Sequence, residues 1–381
     1  MAKNKREIYY TRIERIREMM SQKGIDALIL FSPIDMFYFS GYSAHKPIYP
    51  LDLFRLFPLV ITKSGDPFHI VAQNNYRFIK EESCFDKMFV YDEFTQNAEE
   101  FIAKTIRDKG LSSAKIGVEE DVLVLSTIEK LKNYLPGVDF SYAADMLLEV
   151  RDIKDEYEIE LIQQAIDNTI IGFETAFKEI KPGVTEREIA SLCECAMIRA
   201  GAEGFVEETQ VLSGERSKLV RARASNKKIE QGDLILMDMA SIFHSYGSDI
   251  SRPVVVGKAN KKQAELAKII IEVYEKTLNV IKPGVIAGDV DDLVRKEYAK
   301  FGFGPEGQAH LAGHGFGLNF HENPIVKPGN KSVFKPGMVF AFEPGIVGQD
   351  CGHMRFEDDF VVTETGTKCL SSKLPRKLIE L

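Results

Sequence analysis

No stretch of this sequence is apolar for long enough to cross a bilayer as a helix, and no charged-then-apolar leader opens it. A membrane partner is therefore not expected. Cysteine is scarce and odd in number: Cys84, Cys193, Cys195, Cys351 and Cys369 are scattered along the chain. That set offers no disulfide framework and points to a reduced, cytoplasmic protein. Cys193 and Cys195, two apart on an expected helix, point away from each other and read as core or half-buried thiols rather than ligands. Positive charge is short as well. The 49 Lys and Arg against 57 Asp and Glu leave a net charge of -8. This excludes general nucleic-acid binding, which needs a basic surface, and the basic residues at 373–377 read as a solvated tail. What remains is ordinary: 44% hydrophobic and 28% charged residues over a 381-residue chain, room for two domains with a large core and nothing that reads as disordered.

Against that plain background residues 232–252 stand out, reading as two strands joined by a short turn. Side chains alternate along a strand, so Leu234, Leu236 and Asp238 share one face, and Asp238 points where apolar core is due. Asp249, eleven residues later, returns on the second strand to face the same space. An inward carboxylate is costly unless paired, protonated or metal-bound, and two together repel, so a cation is the natural resolution. A second stretch repeats the design. Glu343 follows Gly337 by six residues, as Asp238 follows Gly232, with Val339 and Ala341 on its face, and a strand from Met354 supplies Glu357.

The first 150 residues read as a separate α/β domain. Ile8, Ile13, Ile16, Met19 and Met20 mark one face of an opening helix that Gly24 ends. A strand at 27–31 and a hairpin at 57–72 follow, with a Ser64-Gly-Asp-Pro turn. His69 in that hairpin reads as a satisfied core histidine. Arg55 is a candidate to reach a substrate or a partner subunit, an ion pair being the plainer reading. The domain boundary falls at the charged junction Arg151-Asp-Ile-Lys-Asp-Glu, and residues 151–381 form the second domain. It contains an internal repeat. Ile180-Lys-Pro-Gly-Val precedes a helix capped at Thr185 with Glu188 completing a capping box, and Ile281-Lys-Pro-Gly-Val precedes a helix beginning near Asp289. A long amphipathic helix comes before each copy and acid-bearing strands after it, so two similar halves facing each other bring four carboxylates to one pseudo-symmetric centre.

Between the two pairs of acids lies a histidine-rich run with His310, His314 and His321. Gly313, Gly315 and Gly317 lack the Lys-Ser/Thr of a phosphate loop and read instead as letting the backbone pass close to a ligand centre. Four carboxylates and an imidazole make a hard, oxygen-rich site that fits Mn²⁺, favoured by ligand type, or Co²⁺, Fe²⁺ or Zn²⁺. Four acids exceed the charge of one divalent ion. Two ions are expected, roughly 3.5–4 Å apart, holding a bridging hydroxide that attacks a carbonyl at neutral pH.

The order Asp, Asp, His, Glu, Glu, within Met237-Asp-Met-Ala, Ser248-Asp-Ile-Ser-Arg, Gly313-His-Gly-Phe-Gly, Phe342-Glu-Pro-Gly and Arg355-Phe-Glu-Asp, resembles the pita-bread metallopeptidases: Xaa-Pro dipeptidase (prolidase), Xaa-Pro aminopeptidase and, more distantly, methionine aminopeptidase. Creatinase shares their fold. The resemblance spans the chain and implies a creatinase-like α/β domain ahead of a pita-bread catalytic domain. It implies that Asp238, Asp249, His314, Glu343 and Glu357 are metal ligands, with Asp249 and Glu357 bridging. It also makes Glu343 the general base, His321 the donor to the tetrahedral intermediate, His310 a substrate contact and Arg355 an arginine near the site. A homodimer is implied too, with the N-terminal domain restricting the site to short substrates; the apolar run at 48–54 is a candidate for interface or core.

One position departs from the family. Its usual Pro-His before the Gly-Asp turn is replaced, and Arg221 stands where the histidine belongs. Arginine holds a carboxylate through a fork of donors, so Arg221 either binds an acidic group of the substrate or points outward into a salt bridge. Three functions follow: metal-dependent hydrolysis of short peptides, Xaa-Pro dipeptides foremost; a creatinase-like amidohydrolase acting on a small carboxylate-bearing substrate; and a non-enzymatic binding relative.

Overall fold

Each acid-bearing stretch folds as its periodicity requires. In the computed structural model, which describes residues 5–42, 56–304, 307–308, 310–348 and 352–381, the strand Leu234–Met239 pairs antiparallel with Ile250–Val255. The pairing continues through Ser241–Phe243 and Tyr246–Gly247. The reversal falls on His244 and Ser245, at φ of 44° and 67°, the left-handed pair that a two-residue hairpin turn demands. Arg55, Cys351 and the 48–54 run lie outside the described residues.

The chain divides into two compact units, Met1–Arg151 and Asp152–Leu381. In the first, a six-stranded sheet runs in the order Met88–Tyr91, Phe68–Ala72, Leu59–Thr62, Ala27–Leu30, Lys115–Val118, Asp139–Tyr142. The apolar run Ala27–Leu30 is buried along its whole length, as a central strand must be. Helix Lys5–Lys23 buries Ile8, Ile13, Ile16 and Met20, and Gly24 follows it at positive φ. Met19 is only half-buried. Arg12 on the same helix is fully buried, donates from Nη1 to the Tyr38 carbonyl at 2.9 Å and lies 4.4 Å over the Tyr38 ring. An apolar pattern cannot reveal a buried arginine. His69 is buried, shares a hydrogen bond with Ser83 Oγ at 2.9 Å and is held neutral because burial pushes it down to about 4.

In the second unit the repeat is visible in the backbone. Gly183 N donates to Ile229 O at 2.9 Å and Gly284 N to Phe334 O at 3.0 Å. Thr185 bridges to Lys228 as Ile286 does to Val333. Helix Glu186–Ala200 starts on the capping box of Thr185 and Glu188. Its counterpart starts at Ala287, ahead of Asp289, because Ala287 N and Gly288 N donate to the Ser332 and Asn330 carbonyls in place of a side-chain cap. The long helices Glu156–Glu179 and Lys261–Leu278 open on their own capping boxes. A four-stranded sheet (Ile379–Glu380, Ile250–Val255, Leu234–Met239, Gln210–Ser213) belongs to the first half. A five-stranded one (Glu322–Val326, Gly313–Gly315, Val339–Phe342, Asp358–Val362, Thr367–Cys369) belongs to the second. They meet where Glu357 N donates to Ser251 O at 3.1 Å. Ile270, Tyr274 and Val294 from the helices pack on Phe340, Phe342 and Phe360 behind the second sheet.

Gly313 and Gly315 depart from the sequence expectation. A Cβ on Gly313 would lie 2.4 Å from the Ala341 carbonyl oxygen, and one on Gly315 2.0 Å from that of Asn323. These glycines let neighbouring strands close around His314 rather than admit a ligand. We predict that Gly315→Ala destabilises the second unit by about 1–3 kcal/mol, the cost of overpacking a backbone contact, read as a lower denaturant midpoint. An unchanged midpoint contradicts this packing.

Candidate metal centre

Strand register aims the acids. Asp238 lies directly opposite Ser251 on one neighbour and Gln210 on the other, and Ser251 bridges to Glu357. Directly paired residues project to the same face of a sheet, and Asp249, two residues before Ser251, shares that face. In the second sheet His314 lies opposite Ala341, which lies opposite Asp359. Glu343 and Glu357 are each two residues from that row and project with it. The small side chain of Ala341 leaves room between them. Residues 354–360 alternate in destination: Arg355, Glu357 and Asp359 face the acids, while Met354, Phe356 and Phe360 enter the core.

The result is one buried cluster. Ligating atoms of Asp249, His314 and Glu357 lie within 4.8 Å of one another. His314 Nε2 is 3.2 Å from Asp249 Oδ2 and 3.8 Å from Glu343 Oε1. Its Nδ1 is 3.1 Å from the Gly315 carbonyl, which only accepts, so Nδ1 carries the proton and Nε2 turns to the acids as a metal-binding histidine does. Asp238 is held by Arg355, which also stands 3.3 Å from Glu343 Oε2 and 3.5 Å from Glu357 Oε2. Behind the cluster Asp359 Oδ2 accepts from Asp249 N at 3.1 Å and fixes that loop.

The donor set fits divalent cations. Asp238 Oδ1, Glu357 Oε2, Asp359 Oδ1 and Ser251 Oγ are buried without a hydrogen-bond partner, a concentration of unsatisfied oxygen that buried protein does not otherwise tolerate. Carboxylates and one imidazole without a thiolate suit Mn²⁺, Fe²⁺, Co²⁺ or Zn²⁺. Electrostatics agree. Burial pushes Asp238 well above the usual carboxylate range, against the pull of Arg355, and burial with Asp249 does the same to Glu357. Burial would raise Glu343 too, but His310, Arg355 and His314 outweigh it and bring it down to about 2. Burial would lower His314, yet Asp249 and Glu343 raise it.

Of the other residues singled out in the sequence, His310, His321, Arg221 and Arg355 all line the same cavity as the four acids and His314. The His310 Nδ1 sits 2.8 Å from the Leu311 carbonyl and 3.3 Å from Glu343 Oε2, with Nε2 buried and unpartnered. His321 packs against His314 with ring centroids 4.2 Å apart, and burial and then His314 hold it low. Sequence patterns do not reveal Glu207, Gln210, Val220, Leu311 and Phe320 on the cavity wall. Gln210 is legible in principle, since a strand at 210–213 in register with Leu234–Met239 must put it beside Asp238. Glu207, outside any regular element, carries no periodic signal.

Comparison with known proteins agrees in both units. The family model for metallopeptidase family M24 matches residues 160–364, and that for the creatinase/prolidase N-terminal domain matches residues 12–153. The chain is 34% identical over 375 residues to the Xaa-Pro dipeptidase of Pyrococcus horikoshii, spanning 98% of this chain and 100% of that protein. Among solved structures it is similar to the prolidase from Pyrococcus horikoshii OT3, with a TM-score of 0.85 and 33% identity over 97% of this chain and 100% of that one. It is similar also to the X-Pro aminopeptidase from Thermotoga maritima MSB8, with a TM-score of 0.86 and 30% identity over 97% and 99%.

The shifts give a pH dependence. In the metal-free fold the raised carboxyls of Asp238 and Glu357 and the raised imidazole of His314 hold protons that the unfolded chain sheds, so their contribution is present at low pH and lost as pH rises. A cation displaces those protons and binds more tightly as pH rises, by about 1.4 kcal/mol per pH unit for each proton displaced. The gap in Tm between manganese-loaded and chelator-stripped protein should widen from pH 6 to pH 8. A constant or narrowing gap contradicts this reading of the centre.

Proposed function

Because this chain belongs to metallopeptidase family M24, with a creatinase/prolidase N-terminal domain ahead of its catalytic unit, we propose that it hydrolyses Xaa-Pro dipeptides at a centre of two divalent cations, manganese by preference. The convergence of Asp249, His314 and Glu357, with Asp238 and Glu343 on the same face, is the observation that supports this reading most strongly. In it Asp238, Asp249, His314, Glu343 and Glu357 would hold the metals. The cations, when bound, supply Lewis acidity to the scissile carbonyl and to the attacking water.

The remaining roles fall to the protein. Glu343, ionised because its cationic neighbours outweigh burial, accepts the proton of the attacking water on a carboxylate oxygen and delivers it to the departing proline nitrogen. His321, held neutral at working pH by burial, keeps one ring N–H to donate to the developing oxyanion. His310 orients Glu343 through Nδ1 and presents Nε2 to the far end of the substrate. Arg355 stays charged among three acids and fixes their positions. Arg221 lines the cavity and offers its fork of donors to the free carboxylate of the dipeptide. An intact set of acids argues against a purely binding role, since a surface for recognition gains nothing from carboxylates buried beside one another. We further propose a homodimer in the cytoplasm; the unpaired cysteines among the described residues support the compartment. No described helix is long and apolar enough to cross a membrane.

Manganese-loaded protein should release proline from Leu-Pro and Met-Pro, and a chelator should abolish the release. Glu343→Ala should lower kcat by about 10²–10⁴-fold, the usual worth of a positioned base. Absence of proline release from a dipeptide panel, or full activity in the variant, contradicts the assignment.

A further inference from the structure

Beside the metal ligands the cavity wall carries two acceptors that neither the five-ligand centre nor the oxyanion donor uses. Gln210 is opposite Asp238 in the strand register and therefore projects from the same face. It is only 8% exposed, and its Oε1 has no hydrogen-bond partner. A buried amide oxygen left unsatisfied costs free energy comparable to a lost hydrogen bond, and this one lines the cavity. Glu207, three residues earlier, lines it too. Its neighbour Glu208 turns the other way and pairs with Arg223 in solvent at 2.6 Å, so the two carboxylates have opposite destinations. Arg221 is exposed at its rim and still lines the cavity, while Arg223 is taken up by Glu208. Glu207 and Arg221 share the cavity, yet no ion pair joins them. The cavity thus carries a carboxyl and a guanidinium that no ion pair ties to each other.

We propose that Glu207 and Gln210 form a seat for a primary ammonium group of the substrate, opposite in sign to the carboxylate seat at Arg221. This deepens the dipeptidase reading and rests on it. A carboxylate and an amide carbonyl are both acceptors, and an ammonium carries three donors to give them; the pair together satisfies a cation that either alone would satisfy poorly. A free dipeptide carries two charges of opposite sign, and a wall bearing the complementary pair selects it over blocked or longer neutral chains. The ammonium has two sources, the α-amine or the side chain of a basic first residue, and the two are separable by experiment.

The test uses manganese-loaded protein and Glu207→Gln, with Gln210→Leu as a second variant and metal content measured throughout. The α-amine arm compares Leu-Pro with its des-amino analogue, and the side-chain arm compares Lys-Pro with norleucyl-Pro, each by kcat/KM. Calorimetric titration with lysine and with norleucine reads binding without hydrolysis. We expect at least one arm to show a tenfold or larger preference for the amine, falling below twofold in Glu207→Gln and several-fold in Gln210→Leu, with metal content unchanged. Preferences that are absent, or that survive in Glu207→Gln, overturn the seat. Loss of metal from Glu207→Gln also overturns it, by making Glu207 a ligand. If neither dipeptide is cleaved but lysine binds at least tenfold tighter than norleucine and Glu207→Gln removes the difference, the seat stands and the dipeptidase reading fails.

Discussion

Like charges held out of water at close quarters are the constraint around which this protein is built. Asp238, Asp249, Glu343 and Glu357 project from two sheets into one buried space, where each would repel the others and none is solvated. Arg355 offsets part of that repulsion, reaching three of the four acids. The rest is left as carboxyls pushed up toward protonation and oxygens with no partner. A fold that kept such a cluster for stability alone would do better with apolar side chains of the same shape. Its persistence is understandable if cations complete it, and cations so placed are the starting point for hydrolysis.

The scaffold devotes considerable structure to keeping that cluster in place. Arg252 is buried across the junction of the two sheets, where it donates to the Glu357 carbonyl at 2.6 Å, to the Asp358 carboxylate and to the Pro375 and Leu374 carbonyls at 3.0 Å. Asp358 in turn accepts from Tyr274 at 3.0 Å, Ser371 at 2.8 Å and Arg376 at 2.6 Å, so the basic run at 373–377 is docked on the core here and not the solvated tail its charge suggested. The two sides of one strand therefore do different work. Asp358 is satisfied by protein donors on the outer side of the strand, whereas Glu357 and Asp359 retain free oxygens on the inner side. On the approach to the histidine loop, the buried pair of Lys154 and Glu322 at 2.7 Å, with Glu322 also accepting from Asn319 N at 3.1 Å, fixes the turn that carries His321.

Much of this is legible in the sequence. Period-two alternation places Asp238, Glu343 and Glu357 inward, because an acid spaced onto the apolar face of a strand must enter the interior with its neighbours. The repeated Ile-Lys-Pro-Gly-Val segments locate the two halves, because a capped helix after a Pro-Gly turn is locally encoded. Spacing does not give contacts between distant strands. Register between Gln210 and Asp238 depends on a pairing between residues far apart in the chain, and Glu207 sits on irregular chain whose direction nothing local dictates. Arg12 is hidden for a related reason: its burial depends on the Tyr9 and Tyr38 rings, one of them brought from another helix. The glycines beside His314 stand out in the sequence, but their role does not, since the strand backbones that crowd them arrive from residues 323 and 341.

The central claim is that these five side chains bind cations as a set, and metal stoichiometry tests it most directly. Equilibrium dialysis of the stripped chain against Mn²⁺, followed by elemental analysis and electron paramagnetic resonance, should find about two ions per chain with the exchange-coupled signal of a close pair, and Glu357→Gln should lose at least one of them along with the coupling. A wild-type chain that binds no manganese, or a Glu357→Gln chain that binds as much as wild type with the same signal, would contradict the account at its root.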